Sequence, residues 1–220
     1  MPRRAQYVAA MLRNAYVLLV LTTLFWGGNA VAGKLAVGHV SPMALTTLRW
    51  GLATLVMLAI GLPRLREDWP VVRRNLPLLA ALGAIGFTVF NALQYSALLF
   101  TTAINVSIEQ AAMPMLVFVA NFLIYRIGVA PGQVVGFTLS LLGVALTAAH
   151  GDPTRLAALD LNRGDALMLV AIVIYAGYTV ALRARPAIHW QSLMIALCGS
   201  AFVVSLPLLL WEGLSGRMIA

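Results

Sequence analysis

Twenty consecutive residues from Asn14 to Gly33 carry no charge, and runs of similar length and character follow one another to the end of the chain. A helix needs about 20 predominantly apolar residues to cross the hydrocarbon core of a bilayer. On that ruler the sequence predicts helices over residues 15–37, 43–62, 76–98, 102–124, 131–149, 166–183 and 191–211. The chain is 61% apolar and 10% charged, whereas soluble domains run at roughly 45–50% apolar and about 25% charged. The expected fold class is therefore an all-α integral membrane protein, a polytopic helix bundle with the lipid bilayer as its solvent. Cations before the first run imitate a secretory leader, but the run is longer than the usual 7–15-residue signal core and further spans follow at once.

The formal charge of +8 would suggest a nucleic-acid partner in a soluble protein. Here the cations sit in short breaks between apolar runs, the pattern that sets membrane orientation, and no nucleic acid is expected. Arg3, Arg4, Arg13, Arg64, Arg66, Arg73, Arg74, Arg126, Arg183 and Arg185 fall on one side, and Arg155, Arg163 and Arg217 on the other. This asymmetry predicts a cytoplasmic N-terminus. Asp152, Asp160 and Asp165, interspersed with Arg155 and Arg163, read as a solvated connection on the opposite side.

Lys34 and Arg49 are left inside the membrane. An intramembrane charge costs about 2.5–3.5 kcal/mol on insertion scales, so it faces protein or water. Arg49 and Glu109 each lie some seven residues from the same side, roughly 10 Å deep at 1.5 Å per residue. That common depth suggests an Arg49–Glu109 charge pair, with a role either in a site or as a scaffold that fixes helix register. Lys34 is expected to snorkel to the interface. Asn105, Glu109 and Met113 share one helical face with Gln110 beside them, and Asn91, Gln94 and Tyr95 form a second polar patch. Trp26, Tyr175 and Tyr178 suit either a packed core or a cavity wall. Pro114 falls within the fourth span and should break its hydrogen-bond ladder. Gly132 and Gly136 have a spacing that favours close helix packing.

Signals of catalysis are scarce. His39, His150 and His189 have no metal-ligand spacing, the single Cys198 lies in an apolar run, and no Ser–His or paired-carboxylate arrangement falls within a span. Neither an enzyme, nor a metal site, nor a cofactor is expected.

Shifting the chain on itself by 149 residues places YVLLVLTTLFWGGNAVAGK over DALMLVAIVIYAGYTVALR. Trp26 then falls on Tyr175, Gly28 on Gly177 and Lys34 on Arg183. A repeat of five helices, an odd number, must insert its two copies in opposite orientations. The expected organisation is a first repeat over residues 1–150 and the first two helices of a second over 151–220.

The stretch FWGGNAVAGKLAVGHVSPMALTTLRW resembles the opening of EamA-type members of the drug/metabolite transporter superfamily. Ala84-Ile85-Gly86 through Tyr95-Ser96-Ala97, Thr101-Thr102-Ala103, Pro114, Gly136 and Gly143 resemble that family's third to fifth helices. The resemblance implies ten helices in two inverted repeats and a central cavity. It also implies export or exchange of small organic metabolites across the cytoplasmic membrane, a bacterial-type inner membrane. Two departures stand out: Tyr125-Arg126-Ile127-Gly128 replaces a common Gly-Glu pair, and Glu109 stands where an uncharged residue is usual. The candidate solute-binding residues are Trp26, Asn29, Asn91, Tyr95 and Glu109, with Arg49 biasing the charge of Glu109. If the chain ends at Ala220, transport would require a partner chain or a homodimer. The rival expectation is a non-transporting remnant or assembly subunit whose buried charges only hold helices together.

Overall fold

Polar side chains mark where the helices begin. In the computed structural model, which describes residues 14–148 and 162–216, Asn14 accepts the Tyr16 N–H at 2.9 Å and opens α1, Ala15–Ala36. Ser41 and Pro42 open α2, Pro42–Arg74, and Thr102 opens α4, Ala103–Tyr125, by accepting from the Asn105 N–H. Asn162 opens α6, Arg163–Ala181, in a reciprocal capping box with Asp165, and His189 opens α7, Trp190–Leu214. Each cap satisfies backbone donors that a helix start leaves unpaired. Between them lie α3, Leu76–Ala97, and α5, Pro131–Ala148.

Among the described residues, six helices are long and apolar enough to cross a membrane: α1, α2, α3, α4, α6 (extended to Ala184 by a 3₁₀ turn) and α7. The predicted fifth span, α5, is an 18-residue helix, within the roughly 17–25 residues that suffice. The chain is a polytopic α-helical membrane protein.

Two helices depart from the predicted outline. The second span, expected to end at residue 62, runs on to Arg74 through Pro63 and Pro70. At 1.5 Å per residue its 33 residues extend about 50 Å, well beyond a hydrocarbon core of about 30 Å. The charged part from Arg64 onward is thus a helical extension rather than a loop, with an exposed Arg64–Glu67 ion pair at 2.7 Å. Asp68 on this extension accepts the His189 N–H at 2.9 Å, tying it to the start of α7. In α3, residues Ala84–Val89 form a π-helical turn, which the sequence pattern did not announce. The predicted break at Pro114 is present: α4 consists of Ala103–Ala111 and Met113–Tyr125, with Ala112 at the junction.

The most extensive helix packing joins α7 to α2, followed by α6 against α3 and α4, and α7 against α3. Glycines permit the closest approaches. A Cβ on Gly86 would run into the Tyr178 ring, and one on Gly83 would meet Ser200 and the Leu197 carbonyl. One core cluster gathers Ala30, Tyr95, Leu98, Val106, Met168 and Ile172; the other gathers Val72, Leu79, Leu82, Tyr178, Leu193 and Leu197. By contrast, a Cβ at Gly132 or Gly136 of α5 would meet nothing within 4 Å, so the glycine spacing there marks no helix contact among the described residues.

Arg3, Arg4, Arg13, His150, Asp152, Arg155, Asp160 and Arg217 lie outside the described residues. Asp165, expected in a solvated connection, is instead 3% exposed. Its second carboxylate oxygen accepts from the Thr101 hydroxyl at 2.6 Å, so the α6 cap is bound to the α3–α4 turn.

A candidate solute cavity among helices one, two, three, four and six

Asn29 lies midway along α1, and its amide oxygen accepts from the Tyr95 hydroxyl at 2.8 Å and from Arg49 Nη1. The same Nη1 donates to Tyr95 at 3.2 Å, while the Asn29 amide nitrogen reaches Gln94 Oε1 at 3.5 Å. Three helices are thereby joined by one polar cluster, with Tyr95 and Gln94 almost wholly buried. Two small residues of α1 set this spacing. Ala30 is fully buried, and a Cβ on Gly33 would sit 2.8 Å from Leu98 and 3.0 Å from the Tyr95 ring.

The cluster forms one end of a cavity of about 140 Å³ lined by Trp26, Asn29, Arg49, Trp50, Gly86, Phe87, Phe90, Asn91, Gln94, Gln110 and Tyr175. Its remaining walls are aromatic. Trp50 and Phe87 stack at 4.3 Å with 10° between their planes, Phe90 lies 4.7 Å from Tyr175, and Trp26 meets Tyr175 edge-on at 5.9 Å. Trp26, Gln110 and Tyr175 also border a larger, mainly apolar cavity of about 550 Å³ between α1, α4 and α6. The two spaces share these three side chains as a common wall. An amphipathic cavity of this kind, apolar with a few convergent polar groups, is the usual form of a small-molecule site.

Of the residues proposed from sequence, Trp26, Asn29, Arg49 and Asn91 line this cavity. Tyr95 stands behind the wall as the hydrogen-bonding partner of Asn29 and Arg49. The expected Arg49–Glu109 pair does not form: Arg49 bonds to neutral Asn29 and Tyr95, and Glu109 Oε2 is buried without a hydrogen-bond partner among the described residues. Equal depth was the ground for that pairing, and depth says nothing about azimuth around the bundle; Gln110, the next residue, turns to the cavity instead. Trp26 is 40% exposed and serves as a wall rather than as a packed core aromatic. Lys34 reaches the turn between α3 and α4. Its ammonium donates to the Leu98 and Thr101 carbonyls at 2.7 and 2.8 Å, neutralising the carbonyl end of α3 in a favourable dipole arrangement. At the other end of α6, Arg183 donates to Asn121 at 2.9 Å and lies over the Tyr125 ring at 4.9 Å.

Sequence reasoning missed Trp50, Phe87 and Phe90 as wall residues, and it missed Glu212. Glu212, 6% exposed, accepts from the Ser41 hydroxyl at 2.5 Å and the Met43 N–H at 3.2 Å, binding α7 to the start of α2. A lone carboxylate near the end of an apolar run, 171 residues from Ser41, offers no local signal of its partner.

The EamA-like transporter family matches residues 13–149 of the chain. "Uncharacterized transporter YyaM" of Bacillus subtilis is 29% identical over 167 residues, covering 76% of this chain and 55% of that protein. An "Uncharacterized transporter" of Archaeoglobus fulgidus is 30% identical over 175 residues, covering 76% of this chain and 56% of that protein. "Uncharacterized transporter YetK" of Bacillus subtilis is 24% identical over 205 residues, covering 92% and 62% respectively. The chain thus spans from 55% to 62% of the length of these relatives. No solved structure matches it.

Proposed function

The chain belongs to the EamA-like transporter family, and from that premise we propose that it is a secondary transporter moving small organic metabolites by alternating access. The observation that carries this reading is the amphipathic cavity, built midway along α1, α3 and α6, with Arg49, Asn29, Asn91, Gln94 and Gln110 among aromatic walls. A helix that serves only as an anchor has no use for such a set at that depth. Trp26, Asn29 and Asn91 are the solute-facing residues, Tyr95 positions Asn29 and Arg49, and export or exchange across the cytoplasmic membrane is the direction proposed. The loop cations that remain among the described residues favour a cytoplasmic N-terminus, with the Lys34–Thr101 end outward.

Two inverted repeats, residues 1–150 and the start of a second over 151–220, fit the packing. Trp26 and Tyr175, related by the 149-residue offset, touch each other, as residues close to a local twofold axis do. Helices α2 and α7, related by the same offset, share the most extensive interface.

Glu109 is assigned to proton exchange, because its buried Oε2 has no partner to hold the charged form. The test is flux of a radiolabelled metabolite panel into vesicles carrying the protein, repeated across pH. Chain-dependent flux is expected, with Glu109→Gln flattening its pH dependence. Flux unchanged at every pH in Glu109→Gln would remove the proton role. No chain-dependent flux for any solute would favour the rival, a membrane subunit whose buried polar groups are scaffolding.

A further inference from the structure

Arg49 is a cation at cavity depth that has no carboxylate partner among the described residues. Its bonded neighbours, Asn29 and Tyr95, are neutral, and the ion pair found among the described residues is the distant Arg64–Glu67. A guanidinium has five N–H donors in a planar fork. Both hydrogen bonds use Nη1, which leaves Nη2 and Nε without partners among the described residues. Those two nitrogens form the edge that a carboxylate engages with two parallel hydrogen bonds.

Three further observations point the same way. Asn29, Asn91, Gln94 and Gln110 complete the polar lining, and none of them carries charge to offset the arginine. Trp50, the neighbour of Arg49 in the chain and in the cavity wall, has a buried indole N–H with no acceptor. The Arg49 guanidinium also lies 5.4 Å from the centroid of that indole. Beyond this polar end, where Asn91 Oδ1 is also buried without a partner among the described residues, the wall becomes the stacked Trp50–Phe87 pair and the Phe90–Tyr175 pair, flat apolar surfaces suited to a planar body.

We propose that this cavity selects small organic anions, with a carboxylate held by the free edge of Arg49 and a flat apolar body lying against the aromatic wall. The proposal rests on the transporter reading for its purpose but not for its test, because binding is measured apart from flux. Asn29 and Tyr95 act here as positioning residues: by occupying Nη1 they fix the plane of the guanidinium and direct its other edge.

The experiment uses three single-ring probes of nearly equal shape and different charge: phenylacetate, phenylacetamide and phenethylamine. Their binding to the purified chain in detergent is measured by isothermal titration calorimetry. Phenylacetate is expected to bind at least roughly tenfold tighter than the amide, with the amine weakest. In Arg49→Gln, which retains a donor for Asn29 and Tyr95, the preference for phenylacetate over the amide should vanish; in Arg49→Lys, which keeps the charge and loses the fork, it should shrink. Circular dichroism establishes that each variant is folded, and the probe series on the unaltered chain decides the matter if one is not. Equal or tighter binding of the amide or the amine overturns the proposal, as does binding of none of the three, or an undiminished preference in folded Arg49→Gln. Selective phenylacetate binding without vesicle flux would leave the anion site standing and count against transport alone.

Discussion

Asn29 commits its amide oxygen to Tyr95 and Arg49 and its amide nitrogen to Gln94. Asn29 is the one carboxamide on α1, so the cluster depends on this one side chain. Removing it strands groups that are already dry: Gln94 is 1% exposed and Tyr95 4%. Asn29→Ala should therefore destabilise the chain by about 1–3 kcal/mol, the cost of leaving buried partners unpaired. Thermal unfolding in detergent measures this, and an unchanged Tm would mean that the cluster contributes nothing to the fold. The residues that make up this cluster were legible in the sequence as polar groups where polar groups are costly. Their pairing was not. Arg49 and Glu109 shared a depth, yet the azimuth of a helix depends on tertiary packing, such as that of Gly51 of α2 against Phe202 of α7, which no helical ruler reports. Glu212 was silent for a different reason, since its partner Ser41 lies at the far end of the chain.

Among the elements, α3 shapes the cavity most. Its π-helical turn, Ala84–Val89, contains Gly86 and Phe87 and delivers Phe90 and Asn91 to the lining. An extra residue per turn displaces everything that follows by part of a turn, and such bulges are frequent at functional sites. This is why Phe87 and Phe90 escaped a reading based on 3.6-residue periodicity. Gly86 faces the Tyr178 ring with no space for a methyl group. Gly86→Ala should cost about 1–3 kcal/mol through overpacking and push α6 away from α3. A lowered Tm together with weaker probe binding is the expected result; a Tm equal to that of the parent would show that the contact yields freely. The helix outlines themselves were mostly legible, because caps such as Ser41, Thr102 and Asn162 and breakers such as Pro114 act locally. The continuation of α2 through Pro63 and Pro70 was not. The charged segment beyond Arg64 is held helical partly through its contact with His189 at the start of α7, a tertiary effect.

At the scale of the whole molecule, the cavity lies where the two inverted repeats that we propose would meet. Trp26 and Tyr175 touch across that meeting, and Lys34 and Arg183, related by the same offset, each clamp a neighbouring helix, at opposite ends of the bundle. Alternating access requires that these two ends loosen in turn while the cavity between them stays intact. Gly27 borders the larger cavity, and a side chain there would meet nothing within 4 Å. It is therefore the place to ask which side of the membrane the cavity sees. The lone, buried Cys198 is first replaced, so that Gly27→Cys in a Cys198→Ser background offers a single thiol. Labelling with a membrane-impermeant thiol reagent, applied to oriented vesicles from one side and then from the other, needs no knowledge of the solute. Modification from both sides is the predicted result. Modification from one side alone, or from neither, would contradict alternating access through this cavity.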